Sequence, residues 1–169
     1  MQAIDIPDGT NARFSMFSAR FDGSEIEKKF RKVHKLLTEH KFESRMVSAG
    51  LAEDFGDYTI DYLGELLKDR NGVMIAVCTP HYGEKTSSPY SSYAELRFAL
   101  DEGITVLPLK VADIYPPEPP GGSGHPFDPK NTAKSLCQMV FRLSVVYLDG
   151  VNKSAEEIAV MIAHTLLRR

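Results

Sequence analysis

Cysteine is scarce: Cys78 and Cys137 are the only two among 169 residues. They supply neither a disulfide framework nor the paired spacing of a zinc site, and a reduced, intracellular setting fits them best. The five histidines, His34, His40, His81, His125 and His164, are scattered. Their spacing suits neither a metal site nor a Cys/His nucleophile. No run reaches the roughly 18 apolar residues of a membrane span, so no membrane partner is expected. The first eleven residues are polar and lack the apolar core of a secretion signal, and the expected location is cytoplasmic. Positive charge is not in excess. Lys and Arg number 20 against 23 Asp and Glu, for a net charge of -3, and no basic tail or stripe argues for a nucleic-acid partner. Also missing are the Gly-x-x-x-x-Gly-Lys-Ser/Thr phosphate loop and the Gly-x-Gly-x-x-Gly dinucleotide fingerprint. There is no Gly-x-Ser-x-Gly nucleophile elbow and no internal repeat.

What remains is a globular composition, 43% hydrophobic and 25% charged, long enough for one domain with a sizeable core. Residues 1–12 read as an N-terminal extension and 13–169 as a single domain. Arg13 to Ala19 reads as strand one. Ser24-x-x-Glu27 is a capping-box pattern that opens helix one, with Ile26, Phe30, Val33 and Leu37 as its apolar stripe. Its lysines and arginines fall mostly off that stripe, on a solvated face. Phe42 to Ser48 is strand two, and Ala49 to Tyr58 a loop. Thr59 is a candidate cap for helix two, with Ile60, Leu63, Leu66 and Leu67 as its apolar positions. Val73 to Cys78 is apolar throughout, as expected of a central parallel strand covered on both faces.

A turn-rich stretch, Thr79 to Pro89, leads to helix three, which begins near Ser91 or Ser92 and ends at Gly103. Ile104 to Leu109 is strand four. Pro108 cannot donate to a ladder, so this strand is expected to bulge or stop there. Residues 115–131 form a long Pro/Gly-rich surface loop, mobile or functional. Thr132 to Phe141 reads as a short helix and Ser144 to Leu148 as strand five. Ser154-x-x-Glu157 is a second capping box, opening a last helix with Ile158, Met161, Ile162 and Leu166 inward. Strands alternating with helices predict an α/β fold, a five-stranded parallel sheet of flavodoxin-like order 2-1-3-4-5 with helices on both faces.

That order makes strands one and three neighbours and opens a crevice at their carboxyl ends. Ser18, Arg20 and Phe21 from the first loop and Glu95 from helix three would gather there. Glu95 has two readings. Ser92-Tyr93-Ala94-Glu95 is itself a capping-box pattern, and acids are common in a first helical turn. Alternatively, the carboxylate opens into the crevice as a catalytic group. Arg20 likewise reads as an anion-binding residue or as half of a surface ion pair with Asp22 or Glu25.

Three stretches resemble the TIR (Toll/interleukin-1 receptor) domain family. Phe14-Ser-Met-Phe-Ser18-Ala19-Arg20-Phe21-Asp22 is similar to its first box. Cys78-Thr79-Pro80-His81-Tyr82 is similar to the Ser-Pro-x-Tyr after the third strand. Ser91-Ser92-Tyr93-Ala94-Glu95-Leu96 is similar to its Trp-Cys-x-x-Glu-Leu, with Glu-Leu intact. The likeness covers roughly Arg13 to Lys110, and beyond that only the order of elements. Many members cleave NAD between nicotinamide and ribose with that glutamate. The resemblance therefore implies Glu95 as the catalytic residue, with Ser18, Arg20, Phe21, Gly56, Tyr58, Tyr90 and Ser91 as substrate-binding candidates. Gly56 and Tyr58 approximate positions in the loop after strand two. Ser91 and Ser92 stand where Trp and Cys are common, leaving Tyr90 or Tyr93 as the ring against the ribose.

The implied function is an NAD+ nucleosidase that yields nicotinamide and ADP-ribose or a cyclic variant, in immune or cell-death signalling. NAD+ would be its substrate, with no bound cofactor and no metal. The implied partners are further copies of the chain or other TIR domains. Two alternatives stand beside it. One is a non-enzymatic TIR interaction module that self-assembles. The other is an enzyme like the nucleoside deoxyribosyltransferases, acting on nucleosides. A receiver domain shares the strand order but needs an aspartate at the end of strand three, where Cys78 and Thr79 stand. A lone carboxylate suits the NAD reaction: nicotinamide leaves as a neutral molecule, so no general acid is needed. One acid can stabilise the oxocarbenium character of the ribose, as in glycoside hydrolysis.

Overall fold

The computed structural model describes residues 5–20, 24–46, 55–68, 71–88, 91–143 and 146–168, with the backbone alone at 55–59 and 143. β3 (Val73–Cys78) is buried along its whole length. Ile75 and Val77 join one core layer, while Met74, Ala76 and Cys78 join the other. This is the two-residue alternation of a strand, here apolar on both sides because helices cover both faces. β1 (Ser15–Ser18) pairs in parallel with β3, from Ser15 opposite Val73 to Ser18 opposite Ala76. β4 (Thr105–Lys110) pairs along the other side of β3. β2 (Ser44–Arg45) flanks β1, and β5 (Leu148–Asp149) flanks β4. The order is β2-β1-β3-β4-β5, a flavodoxin-like α/β sheet, as the alternation of elements predicts. The chain leaves β1 and β3 toward opposite edges, so the carboxyl ends of those two strands are where a sheet of this order is expected to open a crevice.

α1 (Glu25–Glu39) and α5 (Ala155–Leu167) cover one face. Phe30, Val33 and Leu37 of α1 and Ile158, Ile162 and Leu166 of α5 pack with Phe17, Ile75 and Leu109. Burying each such aliphatic side chain contributes about 1.5–3 kcal/mol. α2 (Phe55–Lys68), α3 (Ser92–Glu102) and α4 (Thr132–Leu143) cover the other face. There Leu66 and Ala99 meet Met16 and Met74, while Leu96 and Phe141 meet Ala76 and Cys78. Ser18 is two residues beyond Met16, so it points to that second face and toward α3. Gly103 ends α3 in the left-handed conformation, φ 68°, which favours glycine. Among the described residues no helix is long and apolar enough to cross a membrane.

Several local expectations are corrected. Ser24 is the N-cap of α1, but its side chain makes no capping hydrogen bond; Glu27 lies 3.6 Å from Arg31 one turn on. The box at Ser154 and Glu157 has both of its hydrogen bonds. α2 starts at Phe55 rather than after Thr59, because a continued helical ladder satisfies backbone groups that a loop would leave open. Gly56 and Tyr58 therefore lie in a helix, not in the loop after β2. Ile60 and Leu67 are about half exposed, at 53% and 49%, so only part of the expected apolar stripe faces inward. β4 runs through Pro108 without a break. β5 begins pairing with β4 only at Leu109, so Pro108 has an edge-like position where a missing N–H is tolerated.

β5 lies further along the chain than Ser144–Leu148. Val146 and Tyr147 stay outside the ladder and exposed, with the Tyr147 ring 4.7 Å from that of Tyr115. The segment before β1 is packed against the domain: Ile6 joins the core, and Gly9 donates to the His40 carbonyl. The 115–131 loop is irregular but tied down. Its Asp128 accepts from the N–H groups of Thr132 and Ala133 at 2.7 and 2.9 Å, capping α4, and its Glu118 lies 3.7 Å from Lys134.

Truncating Ile162→Ala should cost about 2–5 kcal/mol in urea unfolding with an unchanged m-value. Leu67→Ala, on the exposed side of α2, should stay within about 0.5 kcal/mol. Equal costs at the two positions would contradict this assignment of faces.

Candidate active site

The amino end of α3 decides where Glu95 points. Ser91 is the N-cap, and its hydroxyl accepts from the Ala94 N–H at 3.4 Å. Ser92 instead accepts from the Gly83 N–H at 2.9 Å. The Ser92–Glu95 capping-box pattern is therefore not used as a box. The Ser92 hydroxyl pins the turn that follows β3, leaving the Glu95 carboxyl to face β1. That turn needs glycine at position 83. Its φ is +85°, and a Cβ there would sit 2.7 Å from the Cys137 sulfur.

Glu95 Oε1 accepts a hydrogen bond from the Ser18 hydroxyl at 2.8 Å. Ser18 Oγ lies 2.8 Å from the Tyr82 hydroxyl as well. Ser18 and Tyr82 are fully buried, and Glu95 is 5% exposed. Burial pushes the Glu95 carboxyl up to about 8, and the Ser18 hydrogen bond offsets only part of that rise. Removing a carboxylate from water penalises its charged form. Tyr82 is held well above its ordinary range, chiefly by burial, and the neighbouring Glu95 charge adds to the rise. A strongly perturbed acid at the carboxyl end of a parallel sheet is a physical signature of a functional site.

A second cluster lies on the flanking loops. Arg20 Nε is 3.6 Å from Glu84 Oε2, and His81 Nδ1 is 3.1 Å from the same oxygen. His125, from the 115–131 loop, approaches Glu84 Oε1 at 3.7 Å through Nε2. Its Nδ1 accepts from the N–H groups of Phe127 and Asp128, so the ring hydrogen of the neutral form sits on Nε2. Arg20 thus pairs with Glu84, whereas Glu25 pairs with Lys28. Arg20 Nε and Thr79 Oγ1 are buried atoms without a hydrogen-bond partner among the described residues. Both sit just past the ends of their strands.

Of the site residues expected from the sequence, Ser18 and Glu95 meet directly, and Ser91 caps the helix that carries Glu95. Arg20 follows Ser18 on the first loop and pairs with Glu84. Gly56 and Tyr58 are in the first turns of α2, and the structure describes only their backbone. Phe21 and Tyr90 lie outside the described residues. Tyr82 was visible only as part of a motif. Ser92 was visible as a helix-start and capping-box candidate, but its bond to Gly83 was not. Glu84 and His125 were not singled out for the site, because Arg20 and His125 reach Glu84 across long gaps in the chain. Among the described residues no cluster of three or more His, Cys, Asp or Glu is arranged to hold a metal ion. No protein-family model matches the chain, and a search of curated proteins returned no match.

The sign of the Glu95 linkage is fixed. The folded state keeps the proton up to about 8, whereas the ordinary value is 4.5. Between those limits the folded state binds more protons than the unfolded one, so stability falls as pH rises. Glu95→Gln should flatten that fall and raise the Tm at about pH 8 by roughly 5 °C or more. Thermal melts across pH that keep the same slope in the Gln variant would contradict the burial of an ionisable carboxyl here.

Proposed function

We propose that the chain is a TIR-like NAD+ nucleosidase, with Glu95 as its catalytic residue. The observation that carries this reading is the direction of the Glu95 carboxyl. It leaves its own helix end and crosses to Ser18 at the end of β1, the position where ligands commonly bind in sheets of this order. In the reaction the bond between the ribose C1′ and the pyridinium nitrogen breaks, and nicotinamide departs neutral with the bonding pair. Ionised Glu95 holds ribose hydroxyls and stabilises the positive charge developing on the sugar. A low-dielectric surrounding strengthens that interaction. Water then adds at C1′ and loses a proton to give ADP-ribose. Capture by the adenine ring gives the cyclic product instead. Arg20 would turn from Glu84 to the pyrophosphate, which its guanidinium can bind in bidentate fashion. The family likeness of the three motifs supports the same reading.

One observation favours a second role. Ile60 and Leu67 leave apolar surface exposed on α2. This supports self-association, or contact with other TIR domains, through that helix. Assembly is compatible with catalysis, and on its own it would make the chain an interaction module.

Incubation with NAD+ should release nicotinamide, and Glu95→Ala should lower the rate by about 100-fold or more, the scale of losing a group that stabilises transition-state charge. The wild-type kcat/KM should rise about tenfold per pH unit below the Glu95 pKa and level off above it. Equal rates for both proteins would exclude Glu95 as the catalytic group. Release of free base from nucleosides, with none of nicotinamide from NAD+, would select the deoxyribosyltransferase-like chemistry. Concentration-dependent assembly without any turnover would select the interaction module.

A further inference from the structure

Tyr82 has a completely buried side chain, and a buried hydroxyl is costly unless it is hydrogen-bonded. Its partner is Ser18 Oγ, at 2.8 Å. A serine hydroxyl has one hydrogen, and that of Ser18 goes to Glu95 Oε1. The Ser18 oxygen therefore accepts from Tyr82, and the chain of donors runs Tyr82 to Ser18 to Glu95. We propose that Tyr82 is a positioning residue for Glu95, holding and polarising the Ser18 hydroxyl that orients the carboxylate.

The inference deepens the proposed function and rests on it for the catalytic role of Glu95. The setting of Tyr82 suits the task. Its ring lies 6.0 Å from that of Phe141 on α4. Its carbonyl accepts from the Cys137 thiol, and the next residue, Gly83, donates to Ser92 on α3. The hydroxyl is thus fixed by two helices and reaches β1. Hydrogen bonds in series strengthen one another in a low dielectric, so a donor to Ser18 improves the bond that Ser18 makes to the carboxylate. Groups facing this chain are Ser18 from β1, Glu95 from α3, Cys78 from β3 and Cys137 from α4. Burial keeps both thiols neutral. Glu84, two residues past Tyr82, is engaged by Arg20, His81 and His125.

Tyr82→Phe keeps the ring and removes the donor. The test follows the Glu95 carboxyl carbon by NMR through a pH titration, alongside the pH profile of nicotinamide release. The titration midpoint should move upward in the Phe variant. The rate near pH 7 should fall about 5-fold with KM nearly unchanged, and recover toward wild type at high pH, as expected when only the ionised fraction changes. An unmoved midpoint, or the same rate loss at every pH, would overturn the proposal. If the Phe variant does not fold, Ser18→Ala tests the link from its other end and must also raise the midpoint; failure to do so would overturn it equally. A raised midpoint in a protein that never releases nicotinamide would support the positioning role and reject the NAD reading.

Discussion

A single buried hydrogen bond, from the Ser18 hydroxyl to the Glu95 carboxylate, joins the first strand of the sheet to its third helix. It lies where a carboxylate is least comfortable, in a place nearly closed to water, and one hydroxyl does not compensate for lost hydration. A fold under no other demand would favour an apolar side chain at position 95. Retaining the acid costs stability above the ordinary carboxylate range, and such a cost is most readily understood where charge is to be stabilised. The surroundings are built to hold it. Ser91 takes over the capping of α3, Ser92 pins the turn after β3, and Tyr82 closes the pair from behind.

The flanking loops hold a second acid, Glu84, among basic side chains. Arg20, His81 and His125 all approach the Glu84 carboxylate. The 115–131 loop joins this cluster through His125. Its fold is dictated by Asp128, which caps α4, and by His125, which accepts from the backbone of the same turn. A segment whose composition suggests looseness is thereby held against the carboxyl end of the sheet.

The sheet order and the central strand were legible because they follow from patterns spanning many residues: the unbroken apolar run at Val73–Cys78, the amphipathic stripe of α1, and the alternation of strands with helices. Edge elements were not. β5 has two residues, too few to carry a period, and the exposed Val146 and Tyr147 imitate a strand through their composition alone. Pro108 was over-read because the sequence does not say which side of a strand lacks a neighbour. At the site, the position of Glu95 on its helix was legible, but its direction was not. Three serines compete for the roles of cap, turn anchor and carboxylate partner. Only the packing of Gly83 against Cys137 and the pairing of Ser18 opposite Ala76 distribute them. Tyr82, Glu84 and His125 act across gaps in the chain that no local motif spans.

The central claim is that the Glu95 carboxylate meets the ribose of a nucleotide. A crystal structure with a non-cleavable NAD+ analogue tests it most directly. The account predicts the analogue at the carboxyl ends of β1 and β3, with the Glu95 carboxylate within hydrogen-bond distance of the ribose and still held by Ser18. An analogue bound elsewhere, or a Glu95 that remains sealed against Ser18 with no contact to the sugar, would contradict it.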